Sequence, residues 1–343
     1  MKNRIFAMAA LAAALFASCN KETEMINPAP EAHPDGASVT ITLSSGDDAQ
    51  TRAFFDATAT AEAWEKSLSS LSVFTFNTSG ELILRRDFTV SELASKSATF
   101  SLPKSAAGTE CSFYAVANYD ASSAKTKSAL TALVEKSAGD YNGTFADVST
   151  KALRSGGFVM SGSTTKTVGA VNTSTQVGIS LKRTVAKVAL QTTIAPEFSE
   201  KYPGSITINS VKLSRAASQS LVVAGEPSTG AMSYTHTQTP GTASSKYNSL
   251  FYLYETGTFD AGSRVLLEIN ATYDSDGSSS TSDDRSDVTY SIELTGKAAG
   301  QIFRNGYYRV AANITGLVGQ DCQVSVTVAD WETPVTQSVD LGA

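Results

Sequence analysis

Residues 38–44 read Ser-Val-Thr-Ile-Thr-Leu-Ser, a strict alternation of apolar and hydroxyl side chains. Because successive side chains of a β-strand point to opposite faces, Val39, Ile41 and Leu43 would share one face and the hydroxyl groups the other. The pattern predicts a strand that buries one face in a core and leaves the other face in water. Gly46 and the two aspartates after it end the strand.

Short strands of the same kind recur along most of the chain, and many are separated by Gly, Ser, Asn or Asp residues that favour turns. They are predicted at residues 71–76, 82–84, 98–102, 111–117, 176–181, 185–190, 205–213, 250–255, 265–273, 288–294, 307–315 and 323–328. Two helical patterns interrupt them, one formed by Trp64, Leu68 and Leu71 and the other over residues 130–134. Since long crossover helices are absent, the sequence predicts an all-β fold of β-sandwiches with short helical insertions.

The chain begins with the features of a secretion signal. Lys2 and Arg4 precede an apolar run over residues 5–15, and small residues stand just before Cys19. A lipoprotein signal peptidase requires this pattern, so residues 1–18 are predicted to be removed and Cys19 to be lipidated. The apolar run is too short to span a bilayer.

Length and charge limit the number of domains and the kind of partner that the remaining chain can have. With 343 residues it is long enough for about two domains of ordinary size. Residues 19–52 predict a polar tether followed by the first strand, and the two domains are placed at residues 53–182 and 183–343. The formal net charge of −6 argues against nucleic acid as the main partner. Cys111 and Cys322 stand beside strand-like runs and predict buried thiols.

The sequence offers no recognisable set of residues for catalysis or metal binding. Its two histidines, His33 and His236, belong to no Ser/His/Asp or Cys/His arrangement. Residues 274–287 are rich in aspartate, but Arg285 stands where a calcium loop needs a glutamate, so a solvated hairpin tip is predicted instead. The two tryptophans lie on patterns typical of packing, which gives little support to glycan binding. We therefore predict no catalytic residue, no metal site and no cofactor.

Several segments resemble the FimA-like fimbrillins, which are the subunits of type V pili of Bacteroidales. Each segment alone is a weak match, but their order and spacing across most of the chain make the joint resemblance specific. The segments are Thr51–Ala53, Glu65–Phe76, Phe158–Gly162, Leu181–Val188, Leu250–Glu255, Asn305–Tyr308 and Val326–Trp331.

The resemblance implies a fold, a maturation route and an assembly mechanism. The fold would be two transthyretin-like β-sandwich domains in tandem. The precursor would be an outer-membrane lipoprotein, and a maturation protease would cut between Arg52 and Ala53. Cleavage would remove the strand of Val39, Ile41 and Leu43, and subunits would polymerise head to tail by strand exchange with other copies or related fimbrillins.

The C-terminal residues predict the strand that would take the vacated place. Its apolar positions are Val324, Val326, Val328, Val335, Val339 and Leu341. Gln337 interrupts their alternation. In the functional interpretation they form a two-part donor strand. In the alternative interpretation they are the last strand and the frayed end of the second domain, and the sequence leaves both open.

These patterns favour a structural function. An alternating tail is what a fimbrial shaft subunit needs to donate a strand onward, whereas a tip protein does not need one. The nearest variant is an anchor that keeps its lipid and escapes cleavage. A surface lipoprotein that binds glycan or host protein without polymerising is the alternative from another class, and a hydrolase with an unrecognised site is the third.

Overall fold

A computed structural model describes residues 35–44, 55, 61–136, 138–230, 232–278, 280–295 and 299–317, together with the strand at residues 325–330. The predicted lipidation site and cleavage residues, Cys19, Arg52 and Ala53, lie outside the described residues, as do Cys322 and the donor positions Val324, Val335, Val339 and Leu341. Among the described residues, no helix has both the length and the apolar character needed to cross a membrane.

Strands dominate the described chain, which confirms the predicted all-β fold. The strands are β1 (Ala37–Ser44), β2 (Leu71–Phe76), β3 (Leu82–Asp87), β4 (Ser97–Leu102), β5 (Glu110–Ala117), β6 (Val134–Glu135), β7 (Met160–Thr167), β8 (Ser174–Ser180), β9 (Lys182–Arg183), β10 (Val185–Ile194), β11 (Ser205–Ala216), β12 (Ser220–Leu221), β13 (Tyr234–Gln238), β14 (Gly241–Ala243), β15 (Lys246–Tyr254), β16 (Leu266–Asp274), β17 (Arg285–Glu293), β18 (Gly306–Ile314) and β19 (Ser325–Asp330). The α-helices are α1 (Val90–Ser95), α2 (Lys127–Thr131), α3 (Phe145–Val148) and α4 (Pro196–Lys201). Single 3-10 turns lie at Trp64–Lys66, Lys104–Ala106 and Ala138–Tyr141.

Two sheets form a sandwich in the first half of the chain. One has the strand order β4-β1-β8 and the other has the order β3-β2-β5-β7-β9. Alternate side chains of both sheets meet in one core, which includes Ile41 of β1, Phe100 of β4, Val177 of β8, Val73 of β2 and Phe113 of β5. The alternate residues of β1 are buried as the sequence predicts, and their side chains close this core.

The second half repeats the same plan of strands. Its sheets have the orders β14-β15-β10-β18-β19 and β13-β11-β16-β17, and their core includes Val188, Leu213, Ile269 and Val310. The first strand of each sandwich lies between an antiparallel and a parallel neighbour: β1 lies between β4 and β8, and β10 lies between β15 and β18. The parallel pairs need no crossover helix, because the other strands of each sandwich make the connection.

Local patterns mispredict two places where tertiary pairing decides the structure. The helix suggested by Trp64, Leu68 and Leu71 is only the short turn Trp64–Lys66, since Leu71 begins β2 and pairs with Ala117 of β5. In the second pattern, α2 ends at Thr131 and the next residues form β6, which pairs with β12. In each case an available partner strand outweighs the local helical spacing.

The two sandwiches are interlocked by a segment of the second half that packs on the first. Val222 and Val223 are 0% and 4% exposed, and they share a cluster with Phe74, Phe76 and Val116 on the side of β2 and β5 that faces away from β1. Backbone pairing of β12 with β6 holds the segment in place. Residues Ala32–Ala343 consequently form one compact unit, and the boundary near residues 182–184 stays a prediction, although β9 and β10 belong to different sheets.

This interlocking predicts that the full chain unfolds in a single cooperative step. Separating the sandwiches would expose Val222 and Val223 together with the aromatic cluster beneath them, so neither half should persist when the other unfolds. Calorimetry of the full chain should give equal calorimetric and van't Hoff enthalpies. Two separate transitions would contradict the expectation.

Candidate functional site

The central strand β1 fills the gap between β4 and β8, and we call this gap the β1 slot. β1 pairs antiparallel with β4 from Ala37↔Leu102 to Thr42↔Ser97. It pairs parallel with β8 from Ser38↔Ser174 to Ser44↔Ser180. Because β4 and β8 are neighbours only of β1 in this sheet, β1 completes the backbone hydrogen bonds of both.

The inward face of β1 is a substantial part of the first core. Val39 and Ile41 are 0% exposed and Leu43 is 5% exposed. Full burial of such side chains contributes about 1.5–3 kcal/mol each, or roughly 5–9 kcal/mol for the three before entropy is subtracted. The apolar residues predicted for the leaving strand are thus the ones that fill the slot.

The outward face of β1 holds the strand only weakly. Its residues are serine and threonine, and β1 contains no charged side chain. The hydroxyls of Thr40 and Thr99 lie 3.0 Å apart, and the Ser97 hydroxyl donates to the carbonyl of Ile41 at 3.0 Å. β1 is therefore retained by its backbone ladders and by apolar burial, both of which another alternating strand could supply.

The equivalent strand of the second sandwich, β10, is held much more firmly. Both of its faces are buried: Val185 and Ala189 join the first core, while Ala186 and Val188 join the second. Lys187 on the same strand forms a buried ion pair with Glu65, with Nζ 2.7 Å from Oε1. Of the two equivalent strands, β1 is the one that can leave without breaking the contact between the sandwiches.

Glu65 is the centre of a polar network at that contact, a short distance along the chain from β1. Its carboxylate accepts hydrogen bonds from the Tyr252 hydroxyl at 2.9 Å and from the Glu62 backbone N–H at 2.8 Å. Arg183 Nε donates to the Glu65 carbonyl at 2.8 Å. Burial would raise the pKa of the Glu65 carboxyl, but Lys187 and Arg183 outweigh this effect and the pKa lies below its ordinary value.

Phe55, which follows the predicted cleavage site by a few residues, lies against the second sandwich. Arg309 on β18 donates from Nη1 to the Phe55 carbonyl at 3.3 Å, and its guanidinium lies 5.3 Å from the centre of the Phe55 ring. Phe55 is thus attached to the second sandwich through a residue that is not on β1.

The C-terminal strand β19 pairs with β18 at the edge of the second sandwich. The register places Val326 opposite Val310 and Val328 opposite Tyr308. Here β19 is the last strand of its own sheet, as in the alternative interpretation of the sequence. A role of Val326 and Val328 in a donor strand stays a prediction.

Other groups considered from the sequence are accounted for by local structure. The aspartate-rich residues connect β16 to β17, where Asp274, Asp276 and Asp284 cluster and Arg285 Nε lies 3.1 Å from Asp274 Oδ2. His236 Nε2 is 3.2 Å from a backbone carbonyl. The Cys111 thiol is buried in the first core, and burial raises its pKa.

Comparisons with known proteins agree with the strand plan. Residues 37–186 match the model of the FimA major fimbrial subunit family, which confirms the resemblance noted in the sequence. No curated protein sequence matches the chain significantly.

Solved structures from the Bacteroidales share the fold over nearly the whole chain. A candidate cell adhesion protein of Bacteroides eggerthii is 20% identical, with a TM-score of 0.57 over 89% of this chain and 98% of that one. A fimbrial assembly protein of Parabacteroides distasonis is 16% identical, with a TM-score of 0.52 and coverages of 89% and 98%. A C-terminally truncated tip fimbrial protein of Porphyromonas gingivalis is 14% identical, with a TM-score of 0.51 and coverages of 86% and 100%.

The slot geometry predicts that Ile41→Ala destabilises the full chain by about 2–5 kcal/mol, because it leaves a cavity in the core. Thr40→Ala, its neighbour on the outward face, should cost less than about 1 kcal/mol. Urea unfolding of both variants measures the difference. Similar losses for the two substitutions would mean that β1 is not held by its apolar face.

The buried network predicts that Glu65→Gln costs about 3–5 kcal/mol at pH 7, because it leaves the Lys187 ammonium buried without its partner. The folded-state pKa of Glu65 is depressed, so the stability that its charge contributes is complete above the unfolded value of about 4.3 and is lost as pH falls through the folded value. The gap between variant and wild type should therefore narrow below about pH 4.

Urea unfolding of Glu65→Gln at pH 7 and at pH 3.5 tests this expectation. The control is Glu268→Gln, which breaks the 2.7 Å pair with Lys212, a half-exposed pair that should cost at most about 1 kcal/mol. An equal cost for Glu65→Gln at both pH values would contradict the assignment of the effect to the charge of Glu65.

Proposed function

Because residues 37–186 match the model of the FimA major fimbrial subunit family, we propose that the chain is a shaft subunit of a cell-surface fimbria. The precursor is lipidated at Cys19, cut between Arg52 and Ala53, and joined to its neighbours by exchange of a β-strand. Arg52 is the only arginine within residues 20–84, so a protease that cuts after arginine has one target there.

The observation that carries the proposal is the position of β1 in its sheet. β1 precedes the predicted cut, carries no charge and fills the middle of a three-stranded sheet. Its removal leaves β4 and β8 about 9.5 Å apart, each with a row of unpaired backbone groups. The free energy of burying its three apolar side chains is comparable to the net stability of a domain, so an empty slot strongly favours a new strand.

The proposed replacement is the C-terminal donor strand of another subunit. Its apolar positions, Val324, Val326, Val328, Val335, Val339 and Leu341, recur mostly at the period of two that the slot requires. Strand addition of this kind takes affinity from main-chain hydrogen bonds and specificity from alternate side chains. The second sandwich keeps β10, so each subunit offers one slot and one donor, which gives a head-to-tail polymer.

An uncleaved, lipid-anchored subunit is the second candidate. In the uncut chain β1 fills its slot completely, which is the arrangement that an anchor would keep. A lipoprotein that binds glycan has less support: among the described residues, the large apolar side chains that are exposed are Val90 and Phe303, which make no aromatic platform.

Arg52→Ala is expected to block both maturation and polymerisation. Wild-type surface material should begin at Ala53 and form high-molecular-weight ladders, whereas the variant should stay monomeric and keep its acylated Cys19. N-terminal sequencing and denaturing gels measure these outcomes. The control is Arg85→Ala, which removes the next arginine along the chain from β3 and should assemble normally.

Deletion of residues 333–343 tests polymerisation separately from cleavage. The truncated chain should still be cut after Arg52 but should not form ladders, because it has a slot and an incomplete donor. Normal fibres from Arg52→Ala, with β1 still in its own sheet, would overturn the proposal. Wild-type chains that keep Cys19 and never polymerise would support the anchor or the binding lipoprotein instead.

A further inference from the structure

The two sandwiches share a strand order but differ at one sheet edge. The second sandwich has a strand at this edge, and the described part of the first does not. β18 carries β19 on the side away from β10. Its equivalent in the first sandwich is β8, which ends its sheet: among the described residues, β8 pairs only with β1. Within the described part of the chain, the first sandwich therefore has no strand on the outer side of β8.

Within the described residues, the outward backbone groups in the middle of β8 have no backbone partner, whereas the carbonyl of Ser180 at its end lies against Gly162 of β7. The Ser38 N–H donates to the Thr173 carbonyl at 3.0 Å, and the Leu181 N–H donates to the Ser44 carbonyl at 2.9 Å. In a parallel ladder these bonds direct the odd-numbered residues of β8 towards β1 and the even-numbered residues away from it. No hydrogen bond within the described chain reaches the backbone of Gln176 or Gly178.

This edge also lacks the features that usually prevent strand addition. β8 reads Ser-Thr-Gln-Val-Gly-Ile-Ser, with no charge and no proline, and its register with β1 has no bulge. Two other edge strands are protected, since β3 contains Arg85, Arg86 and Asp87, and β17 contains several charged side chains, whereas β4 on the opposite edge of this sheet is uncharged like β8. A Cβ added at Gly178 would meet nothing within 4 Å, so no described residue covers the outer face of β8 at this position.

We propose that the outer edge of β8 is a second docking site for the C-terminal tail of another copy, residues 333–343, which adds there as an antiparallel strand. The inference rests on the proposed function in taking this tail as the donor, and it adds a receptor that exists while β1 is still in its slot. Docking at this edge raises the local concentration of the tail beside the slot before exchange.

The tail fits this edge by length, pattern and charge. Thirteen residues follow Asp330, which are enough to span about 43 Å if extended. Val335, Val339 and Leu341 recur at even spacing, and residues 333–343 carry one charged side chain, Asp340. The uncharged edge of β8 offers no like charge to repel it.

The test measures binding of a labelled peptide of residues 333–343 to the full chain carrying Arg52→Ala, in which β1 cannot be cut away. Gly178→Pro removes one outward N–H without touching the ladder to β1, and it should weaken binding at least tenfold. Gly178→Ala keeps the N–H and should bind like the parent. Thr99→Pro places the same change on the opposite edge of the sheet, on β4, and should also bind like the parent.

Gln176→Pro is the second variant should Gly178→Pro fail to fold, because it removes another outward N–H from the middle of β8. Absence of peptide binding to the uncut chain, or unchanged binding by both proline variants on β8, would overturn the inference. Assembly of the wild-type chain is followed in parallel. Fibres that grow while the uncut chain binds no tail would refute the β8 site alone, whereas absence of fibres would refute the proposed function.

Discussion

The first sandwich depends on a three-stranded sheet whose middle strand is the first segment of the fold. β1 supplies one ladder to β4 and another to β8, and its apolar side chains close the core against the five-stranded sheet. Loss of an edge strand would break one ladder of backbone hydrogen bonds, whereas loss of a central strand breaks two. The same position makes β1 both indispensable to the fold and replaceable by any strand of matching pattern.

The contact between the sandwiches, unlike β1, depends on residues that each have a specific partner. It joins residues far apart in the chain through a buried charge, several aromatic rings and an inserted segment, and each of these elements has a specific partner. Trp64 packs against both Phe158 and Tyr252, with ring centres 6.0 and 6.5 Å away. Such a contact cannot be rebuilt by an arbitrary strand, so the junction is the fixed part of the molecule, in contrast to the strand exchange proposed for β1.

The sequence predicted the elements whose buried side chains alternate clearly. The strand at residues 38–44 and its inward residues Val39, Ile41 and Leu43 are found as predicted, because one large apolar residue in every two is a strong signal. β7 was missed as a strand because it reads Met-Ser-Gly-Ser-Thr-Thr-Lys-Thr and offers little apolar alternation. The two-residue strands β6, β9 and β12 exist only through tertiary pairing, which no local pattern encodes.

The remaining features of the site could not be derived from sequence for a topological reason. Glu65 and Lys187 are separated by 122 residues, and nothing near either one indicates the other. The open edge of β8 likewise appears only when the strand order is known, since the residues of β8 resemble those of any half-buried strand. Sequence patterns report which face of a strand is buried, whereas pairing partners depend on the whole fold.

The interlocked halves have a mechanical consequence. In a filament stretched along its axis, force would enter a subunit at the first sandwich and leave it at the second, so tension would cross the junction in every repeat. There the Arg304 guanidinium pairs with Glu255 and also donates to the carbonyls of Leu221 and Val222, in the segment that packs on the first sandwich. Pulling the halves apart would therefore have to break these bonds or detach Val222 and Val223 from the first sandwich.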